Sequence, residues 1–177
     1  MLAVTPRLRP LAPDDESLLW TALYHALHVP PGAPVPPPGA VREPEIARYV
    51  AGWMARPGDL GVAVEVGEAT VGAAWLRRWS RDNRGFGFVS ESVPELAMAL
   101  LPGFRGRGLG TLLLRHLLEV AAREARAVSL SVSLSNPARR LYERAGFERW
   151  GAPTGGSVTL VRRLRDAPEA GPAAERG

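Results

Sequence analysis

The sequence predicts a single domain of the α/β (α+β) class, in which helices are layered against a mixed sheet. Three observations support this class. The chain has 177 residues and is 46% hydrophobic, and one domain of this size buries about 70% of the surface that its unfolded chain exposes. Helix-type and strand-type patterns alternate in the order β-α-α-β-β-β-α-β-α-β-β. No internal repeat is visible, so we predict one domain over residues 1–165 and a disordered tail over 166–177, which lacks large apolar residues.

The N-terminal part of the chain predicts one strand followed by two helices. Residues 5–11 resemble an edge strand, a position that tolerates proline. Asp14 is predicted to cap a helix over 15–27, because the apolar residues of this range share one helix side. A proline-rich connector over 30–39 leads to a second helix from Pro44 to Arg56, with proline in the first-turn position.

The remainder predicts strands separated by two further helices. In chain order, these elements are a hairpin of strands 60–66 and 70–79 turning at Gly67-Glu68, a buried strand from Glu95 to Leu101, a long helix ending near Ala125, a half-buried strand over 128–134, a short helix over 137–145 capped by Asn136, and closing strands over 147–150 and 157–164.

Composition excludes several classes of function. Cysteine is absent, which removes disulfides, thiolate metal sites and cysteine nucleophiles together. The three histidines form no recognisable metal-ligand set, so no metal is expected. No apolar run approaches the length of a membrane span, and the N-terminus lacks the pattern of a secretory signal. We therefore expect a cytoplasmic protein that does not act in a membrane.

The net charge is +4, and all of the positive charge counted in it comes from arginine, because the chain contains no lysine. The arginines are spread along the sequence rather than gathered in the stripe that nucleic-acid binding needs. The phosphates of a small cofactor are a sufficient partner for Arg105 and Arg107. We therefore expect no nucleic-acid partner. Only DNA binding with a steep salt dependence would support a nucleic-acid-binding function.

A glycine loop with interleaved arginines, Arg105 to Gly110, lies between the buried strand and the long helix. Glycine lets a backbone approach a ligand closely with its N–H groups exposed. The first turn of the following helix adds unsatisfied donors and about half a positive charge. Such a unit can bind a phosphate or diphosphate. The alternative is a tight strand-to-helix turn in which the arginines are merely solvated.

The spacing of the glycines separates three kinds of phosphate loop. Gly103 and Gly108 have the separation of a nucleotide triphosphatase loop, but the lysine that this loop requires is missing. A dinucleotide fold needs GxGxxG, and Thr111 stands where the last glycine belongs. The pattern Arg105-x-x-Gly108-x-Gly110 instead resembles the acyl-coenzyme A pyrophosphate loop of the GNAT superfamily of N-acetyltransferases.

A second motif strengthens this resemblance. The segment from Asn136 to Phe147, NPARRLYERAGF, is similar to the family segment NxxAxxLYExxGF and follows the loop after one predicted helix and one predicted strand. The resemblance covers residues 95–150 well, whereas the N-terminal half fits only as an order of elements. It implies a mostly antiparallel sheet whose two central strands splay apart, with a bulge in the strand from Glu95 to Leu101.

The resemblance also implies a set of cofactor contacts. Acetyl-coenzyme A would lie in the cleft between the splayed strands, with its pantetheine arm along the buried strand and its pyrophosphate on the glycine loop. The residues implied in cofactor binding are Ala99, Leu100, Leu101, Arg105, Gly106, Arg107, Gly108, Leu109, Gly110, Thr111, Asn136, Ala138, Arg139 and Tyr142.

Two residues are candidates for the chemistry. Tyr142 matches the tyrosine that the family places near the cofactor sulfur, where a phenol can protonate a leaving thiolate. Glu95 is the first candidate for the base that deprotonates the amine, ahead of Glu91 and His25. The alternatives are a tyrosine that only fills the core and a glutamate that only hydrogen-bonds a strand end. A main-chain N–H near Leu100 could polarise the thioester carbonyl.

The resulting prediction is an N-acyltransferase that moves an acetyl group from acetyl-coenzyme A to a primary amine by direct attack. The acceptor is a small-molecule or peptide amine. An acceptor site built by the first two helices and the hairpins would draw on aromatic residues, namely Trp20, Tyr24, His28, Trp53, Trp75, Trp79, Phe86 and Phe88. The alternative is a non-catalytic acyl-coenzyme A-binding module of the same fold. Dimers are common in the family, which leaves a homodimer open.

Overall fold

The computed structural model describes residues 5–165, so the disordered tail predicted for 166–177 lies outside the described residues. Short 3₁₀ turns precede the first three helices, at Pro13–Asp15, Pro38–Arg42 and Pro102–Phe104. The helices and strands, in chain order, are β1 (Arg7–Pro10), α1 (Glu16–Ala26), α2 (Pro44–Ala47), β2 (Leu60–Val66), β3 (Ala69–Arg77), β4 (Glu95–Leu100), α3 (Leu109–Ala121), β5 (Ala127–Ser133), α4 (Arg139–Arg144), β6 (Glu148–Thr154) and β7 (Ser157–Arg163).

The strands form one seven-stranded sheet in the order β1-β2-β3-β4-β5-β7-β6. Within the described range, β4 and β5 are parallel and every other neighbouring pair is antiparallel. Short turns join β2 to β3 and β6 to β7, and such turns connect only antiparallel strands, whereas a parallel pair needs a crossover such as α3. The predicted mixed, mostly antiparallel sheet with flanking helices is therefore confirmed.

The two faces of the sheet are covered unequally. The side chains of β4 alternate, so that Leu96, Met98 and Leu100 pack beneath α3 while Ala97 and Ala99 pack beneath α1. The cluster beneath α1 takes its sheet residues from β2, β3 and β4, and none of its described members comes from β5, β6 or β7. Half of the α1 face therefore lies outside the hydrophobic core.

The second helix is much shorter than the sequence predicts. We predict a helix from Pro44 to Arg56, but α2 ends at Ala47 and turns follow. Met54 has a φ of 59°, in the left-handed region that a continuing right-handed helix excludes. The prediction was wrong because apolar residues at helical spacing also suit a chain that is coiled against the core.

A buried ion pair holds this coiled segment in place. The side chains of Arg77 and Asp59 are each 1% exposed and lie 2.8 Å apart from Nη2 to Oδ2. The Oδ2 atom of Asp59 also accepts a hydrogen bond of 2.9 Å from the Met54 amide. The Nε atom of Arg77 donates to Oδ1 of Asp59 at 3.0 Å, and its Nη1 and Nη2 atoms donate to carbonyl oxygens of the coiled segment, those of Arg48, Ala51 and Gly52. One buried cation thus satisfies carbonyls that a longer helix would have paired.

Asp15, rather than the predicted Asp14, organises the start of α1. The carboxylate of Asp15 accepts 2.7 Å from the Ala12 amide and forms two hydrogen bonds of 2.7 and 2.8 Å with Arg9. The hydrogen bonds from Arg9 hold the pKa of Asp15 below its ordinary value. The arginine of β1 therefore determines which of the two aspartates organises the start of α1. Helix periodicity alone does not reveal this contact.

Candidate active site

The loop between β4 and α3 bends at two glycines. Gly106 has a φ of 72° and Gly108 a φ of 79°, a region that costs other residues about 1–2 kcal/mol. A Cβ atom at either position would meet nothing within 4 Å. Glycine is therefore required by the backbone conformation and not by crowding, and Gly108 leads directly into α3.

Consecutive main-chain amides of this loop, from 106 to 111, have no hydrogen-bond partner in the part of the chain that the structure describes. The series is bounded by the Arg105 amide, which donates to Pro102 at 3.3 Å, and by the Leu112 amide, which donates to Gly108 at 3.1 Å. Free N–H groups at a helix start, together with the helix dipole, favour an anion. These residues fit the diphosphate of coenzyme A.

The arginines of the loop occupy different environments. The Nε atom of Arg105 donates to the Leu100 carbonyl at 3.1 Å, and its Nη2 atom donates to the His25 carbonyl at 3.0 Å. Arg105 therefore ties the loop to the end of β4 and to α1. The guanidinium of Arg107 lies 5.5 Å from the ring centroid of Phe104. Both were predicted as phosphate ligands, and that role stays a prediction.

The two central strands separate as predicted. Only Glu95 and Ser129 pair across β4 and β5, and the Ser129 amide donates to Pro94 at 3.0 Å. Beyond this point, the β5 side of β4 has no strand partner within 5–165. The register of β3 and β4 runs without a shift from Gly72 to Arg77. The bulge expected in β4 is therefore not present, and the strands separate without it.

The main-chain groups that face the gap come from Met98 and Leu100, and of these the Leu100 carbonyl already accepts a hydrogen bond from Arg105. The Leu101 amide donates to the Val71 carbonyl at 2.8 Å, so that Leu101 faces β3. Because hydrogen-bonded pairs alternate in an antiparallel ladder, Ala99 also faces β3 while Met98 and Leu100 face β5. Of the three residues predicted to contact pantetheine, the structure directs only the amide of Leu100 into the gap.

Tyr142 lies on α4 and belongs to the core cluster that also contains Leu96 of β4 and Leu130 of β5. Its side chain is 8% exposed and its ring makes an edge contact with Phe147, with 5.9 Å between the centroids. The hydroxyl has no hydrogen-bond partner among the described residues. Burial raises the pKa of this phenol. Tyr142 is therefore held as a neutral donor, the form that a proton donor to a thiolate requires.

The turn before α4 departs from the family spacing by one residue. The side-chain oxygen Oδ1 of Asn136 accepts a hydrogen bond of 2.9 Å from the Ala138 amide. The predicted cap at Asn136 was wrong, because α4 begins at Arg139 and its N-cap position is Ala138, so Asn136 holds the turn before the helix. Counted back from Ala138, however, the asparagine of the NxxAxxLYExxGF pattern falls on Ser135. Ser135 lies 3.0 Å from His28 Nε2 and 3.1 Å from Ser133 Oγ. A contact of Asn136 or of the exposed Arg139 with the cofactor stays a prediction.

The carboxylate of Glu95 is 2% exposed and accepts three hydrogen bonds. The donors are the Tyr49 hydroxyl at 2.6 Å, the Trp79 indole at 2.7 Å and the Gly87 amide at 2.8 Å. A Cβ atom at Gly85 would lie 2.1 Å from one carboxylate oxygen, so the loop 78–94 packs directly against this group. Glu95 therefore anchors the loop that covers it.

Comparison with known proteins identifies the family. Residues 20–147 match the Acetyltransferase (GNAT) family. The chain belongs to the GNAT family. No curated protein sequence matches it.

Solved structures share the GNAT fold of this chain. The GNAT domain of S. lividans PAT is 20% identical, with a TM-score of 0.65 over 89% of this chain and 90% of that one. The yncA protein of Salmonella typhimurium, solved with its cofactor acetyl-CoA, is 20% identical, with a TM-score of 0.66 over 94% and 99%. The aminoglycoside acetyltransferase AAC(6')-Ib, in complex with coenzyme A, is 26% identical, with a TM-score of 0.59 over 90% and 95%.

Tyr49 is the residue of this GNAT site that sequence reasoning missed. Its hydroxyl donates to Glu95 and accepts 2.7 Å from the Phe86 amide. Its carbonyl accepts 2.9 Å from the Trp75 indole, which fixes the backbone. Tyr49 lies in the segment predicted as helix, and no local signal distinguishes it from a core aromatic.

Most of the aromatic residues considered for the acceptor site are structural. The indoles of Trp53, Trp75 and Trp79 are buried and hydrogen-bonded within the protein. Trp20 is covered by the Arg42 guanidinium, 3.7 Å from its ring centroid. Phe86, by contrast, is 62% exposed. An aromatic cage for a cation is therefore not formed by these tryptophans.

Two further kinds of site were sought. Across residues 5–165, no group of three or more histidine, aspartate or glutamate side chains could hold a metal ion. No helix of the same range is long and apolar enough to cross a membrane. A groove of about 470 Å³ begins at Thr111 and runs between α3 and α4 towards β7, with Arg115 and Arg144 among its lining residues.

The burial of Glu95 predicts a pH dependence of stability. Desolvation raises the pKa of this carboxyl above its ordinary value of 4.5, against the hydrogen bonds from Tyr49, Gly87 and Trp79. A raised pKa in the folded state stabilises the protein below the unfolded value, and this contribution is lost as the pH rises through the folded value. We expect wild type to lose free energy of unfolding relative to Glu95→Gln as the pH rises.

Urea unfolding at about pH 5 and about pH 8 measures this difference. The Gln variant removes the titrating group and retains most of the shape, so contributions of other groups cancel when the two curves are subtracted. A difference that stays constant over this range would contradict the raised pKa.

Proposed function

We propose that the protein is an N-acetyltransferase that moves the acetyl group of acetyl-coenzyme A to a primary amine by direct attack in a ternary complex. The observation that carries the proposal is the run of partnerless amides at 106–111, beside the gap between β4 and β5. In this reaction the amine nitrogen bonds to the thioester carbonyl carbon, the carbon–sulfur bond breaks, the amine loses a proton and the thiolate gains one.

The cofactor would be held by groups that the protein leaves unpaired. The amides of 106–111 would bind its pyrophosphate, and the main chain of Met98 with the amide of Leu100 would bind its pantetheine arm. The groove that begins at Thr111 would take the adenosine end, where Arg115 and Arg144 supply positive charge for a phosphate. Bound acetyl-coenzyme A supplies the activated thioester.

Tyr142 would donate the proton that the departing thiolate takes up. Because burial raises its pKa, the phenol stays protonated at neutral pH and has a proton to give when the thiolate leaves. A positioned proton donor of this kind contributes about 10²–10⁴ in rate. Edge packing against Phe147 would fix the direction of the ring.

Glu95 would act as the base that receives the amine proton. Its raised pKa suits this role, since a base poised nearer to neutral pH transfers protons more efficiently. The three hydrogen bonds to its carboxylate mean that the proton would have to travel through Tyr49 or a water molecule, or that the loop 78–94 would have to move.

The acceptor would be a small-molecule or peptide amine. AAC(6')-Ib has been solved with ribostamycin and coenzyme A, and it is 24% identical to this chain over 90% of this chain and 93% of that one. A small-molecule amine as acceptor is consistent with that neighbour. No partner among nucleic acids or membranes is proposed, and the protein would work in the cytoplasm.

The occupied carboxylate of Glu95 also favours a second candidate, a non-catalytic module that binds acyl-coenzyme A. Such a module would need the amides of 106–111 but no free base. Release of free thiol from acetyl-coenzyme A across a panel of amines separates the two candidates. Turnover that depends on Tyr142 supports the enzyme, and tight binding without turnover on any amine supports the module.

The amide run itself can be tested by replacing Thr111 with proline. Thr111 is the third residue of α3, where the amide has no intrahelical acceptor, so proline removes a ligand donor at little cost to the helix. A hydrogen bond to a charged group contributes about 1.5–3 kcal/mol. We expect coenzyme A to bind Thr111→Pro about 10-fold to 100-fold more weakly in calorimetric titration.

Thr111→Ala is the matched control, since it removes the exposed hydroxyl but keeps the amide. It should bind coenzyme A as wild type does, and both variants should show the helix content of wild type by circular dichroism. Equal affinity of the proline and alanine variants would contradict the assignment of this amide. Coenzyme A at about 100 times the expected Kd should stabilise wild type by about 2.7 kcal/mol. The absence of any stabilisation would overturn the proposed function.

A further inference from the structure

The uncovered half of the α1 face carries a row of hydroxyl groups. In β5, Val128, Leu130 and Val132 point into the core beneath α3, so the serines between them point to the opposite face. Cross-strand pairing places residues of β7 and β6 beside these serines. We call this surface the hydroxyl face, and its members are Ser131, Ser133, Ser157, Thr159, Thr154 and Trp150.

The hydroxyl face adjoins the gap between β4 and β5. Ser129, the β5 residue paired with Glu95, begins the same row of serines. Its Oγ atom is buried without a hydrogen-bond partner among the described residues. The face therefore starts where the strands diverge and where a thioester in the gap would be presented. An amine acceptor lying on this face would meet the thioester from the side opposite α3.

Trp150, on the hydroxyl face, and Phe86, in the loop beside it, are the exposed aromatic residues of this region. Trp150 of β6 pairs with Thr159, which pairs with Ser131, so that Trp150 stands two strand spacings, or about 10 Å, from β5. On the other side, a Cβ atom at Gly87 would lie 2.7 Å from the Ser131 nitrogen. The residue before it is Phe86, 62% exposed, and Trp150 is 54% exposed.

The hydroxyl face is almost free of charge. Among its paired positions, Glu148 lies beside Val161 at one end, and Arg163 lies beside Ala127 further along. The end nearest the mouth of the gap carries hydroxyls, Trp150 and the contact between His28 and Ser135. A polycation would find no cluster of carboxylates here, and a carboxylate-bearing amine would find no paired arginine.

We propose that the acceptor is an amine carried on an uncharged, hydroxyl-bearing ring, the chemistry of an amino sugar, bound on the hydroxyl face between Trp150 and the loop 78–94. This inference rests on the proposed function. The serine and threonine hydroxyls can each donate and accept, which matches the hydroxyls of the ring. The aromatic side chains offer flat apolar surface to its carbon–hydrogen faces.

Steady-state kinetics with four amine probes tests the assignment. The probes are glucosamine, cyclohexylamine, spermidine and a neutral tripeptide. A site that hydrogen-bonds substrate hydroxyls discriminates strongly against an analogue lacking them, so kcat/KM for glucosamine should exceed that for cyclohexylamine by about 100-fold. Spermidine and the tripeptide should also be poorer than glucosamine. Equal or better turnover of any of the three would overturn the inference.

Two substitutions test whether the acceptor binds on the hydroxyl face. Trp150→Ala should raise KM for glucosamine about fivefold. Thr159→Val removes one hydroxyl at nearly constant volume and should raise KM about fivefold as well. Arg149→Ala is the matched control, because Arg149 is the exposed neighbour of Trp150 and its side chain points to the opposite face. Equal kinetics for Trp150→Ala and Arg149→Ala would overturn the inference.

Thermal stabilisation by coenzyme A, measured on the same samples, distinguishes a failure of the acceptor assignment from a failure of the proposed function. If coenzyme A stabilises the protein and glucosamine is not acetylated, the acceptor assignment fails while the cofactor site stands. If coenzyme A does not stabilise wild type, the proposed function itself fails.

Discussion

Tyr142→Phe should lower kcat for amine acetylation by about 10²–10⁴ while leaving KM for acetyl-coenzyme A nearly unchanged. The hydroxyl of Tyr142 makes no hydrogen bond in the described structure, so its removal leaves no other group unpaired. The phenylalanine ring keeps the edge contact with Phe147. The lost rate would therefore report proton donation to the departing thiolate and not a disturbed core. Thiol release under saturating amine measures it.

Tyr24→Phe is the matched control for this substitution. The hydroxyl of Tyr24 donates to the Pro36 carbonyl at 2.9 Å, in the connector between α1 and α2. Its loss should cost about 0.5–1.5 kcal/mol of stability and little rate. If Tyr142→Phe turns over at the wild-type rate, Tyr142 is a packing residue and the donor lies elsewhere.

Asp59→Ala should reduce the free energy of unfolding by about 3–5 kcal/mol, because it leaves the Arg77 guanidinium buried without its counter-charge. The Arg77 side chain is 1% exposed, so water cannot replace the lost carboxylate without opening the structure. The Met54 amide also loses its acceptor. Urea unfolding at neutral pH measures the change through the transition midpoint.

Two comparisons separate charge burial from simple loss of contacts. The double variant Arg77→Leu with Asp59→Leu removes both charges, and it should be more stable than Asp59→Ala alone. The exposed pair of Arg115 and Glu119, 3.8 Å apart and more than half exposed on both sides, provides a surface reference. Arg115→Ala should cost less than about 0.5 kcal/mol. Equal losses for Asp59→Ala and Arg115→Ala would contradict the buried-pair account.

The effect of Asp59 is expected to reach the acceptor side. Arg77 donates a hydrogen bond to the Arg48 carbonyl. The residue after Arg48 is Tyr49, whose hydroxyl donates to Glu95. The Trp75 indole holds the carbonyl of Tyr49 itself. A loosened segment would release Tyr49 before it disturbed α3. The ion pair therefore positions groups around Glu95 as well as stabilising the fold.

Local sequence determines the glycine loop and its neighbours. Gly106 and Gly108 adopt left-handed backbone that only glycine enters at low cost, and an amphipathic helix follows directly. The predicted strand from Glu95 and the short turn at Gly67 are likewise present. These features depend on residues a few positions apart, so their spacing in the sequence is sufficient to predict them.

Tertiary structure alone decided which groups meet around the site. Arg77 and Asp59, which lie on separate elements, form a buried ion pair. The segment that this pair holds is coiled, so α2 ends at Ala47 and not at the predicted Arg56. The register with β3 turns Met98 and Leu100, rather than Ala99 and Leu101, towards the gap. The carboxylate of Glu95 is covered by Tyr49 and the loop 78–94.

The physical reason for this division is the range of the interactions. Backbone sterics and helix or strand periodicity act between near neighbours and leave a pattern in the chain. The burial of a charge, the pairing of a carboxylate and the covering of half a sheet depend on which distant segments come together. No spacing rule records that choice, so it becomes visible only in the folded molecule.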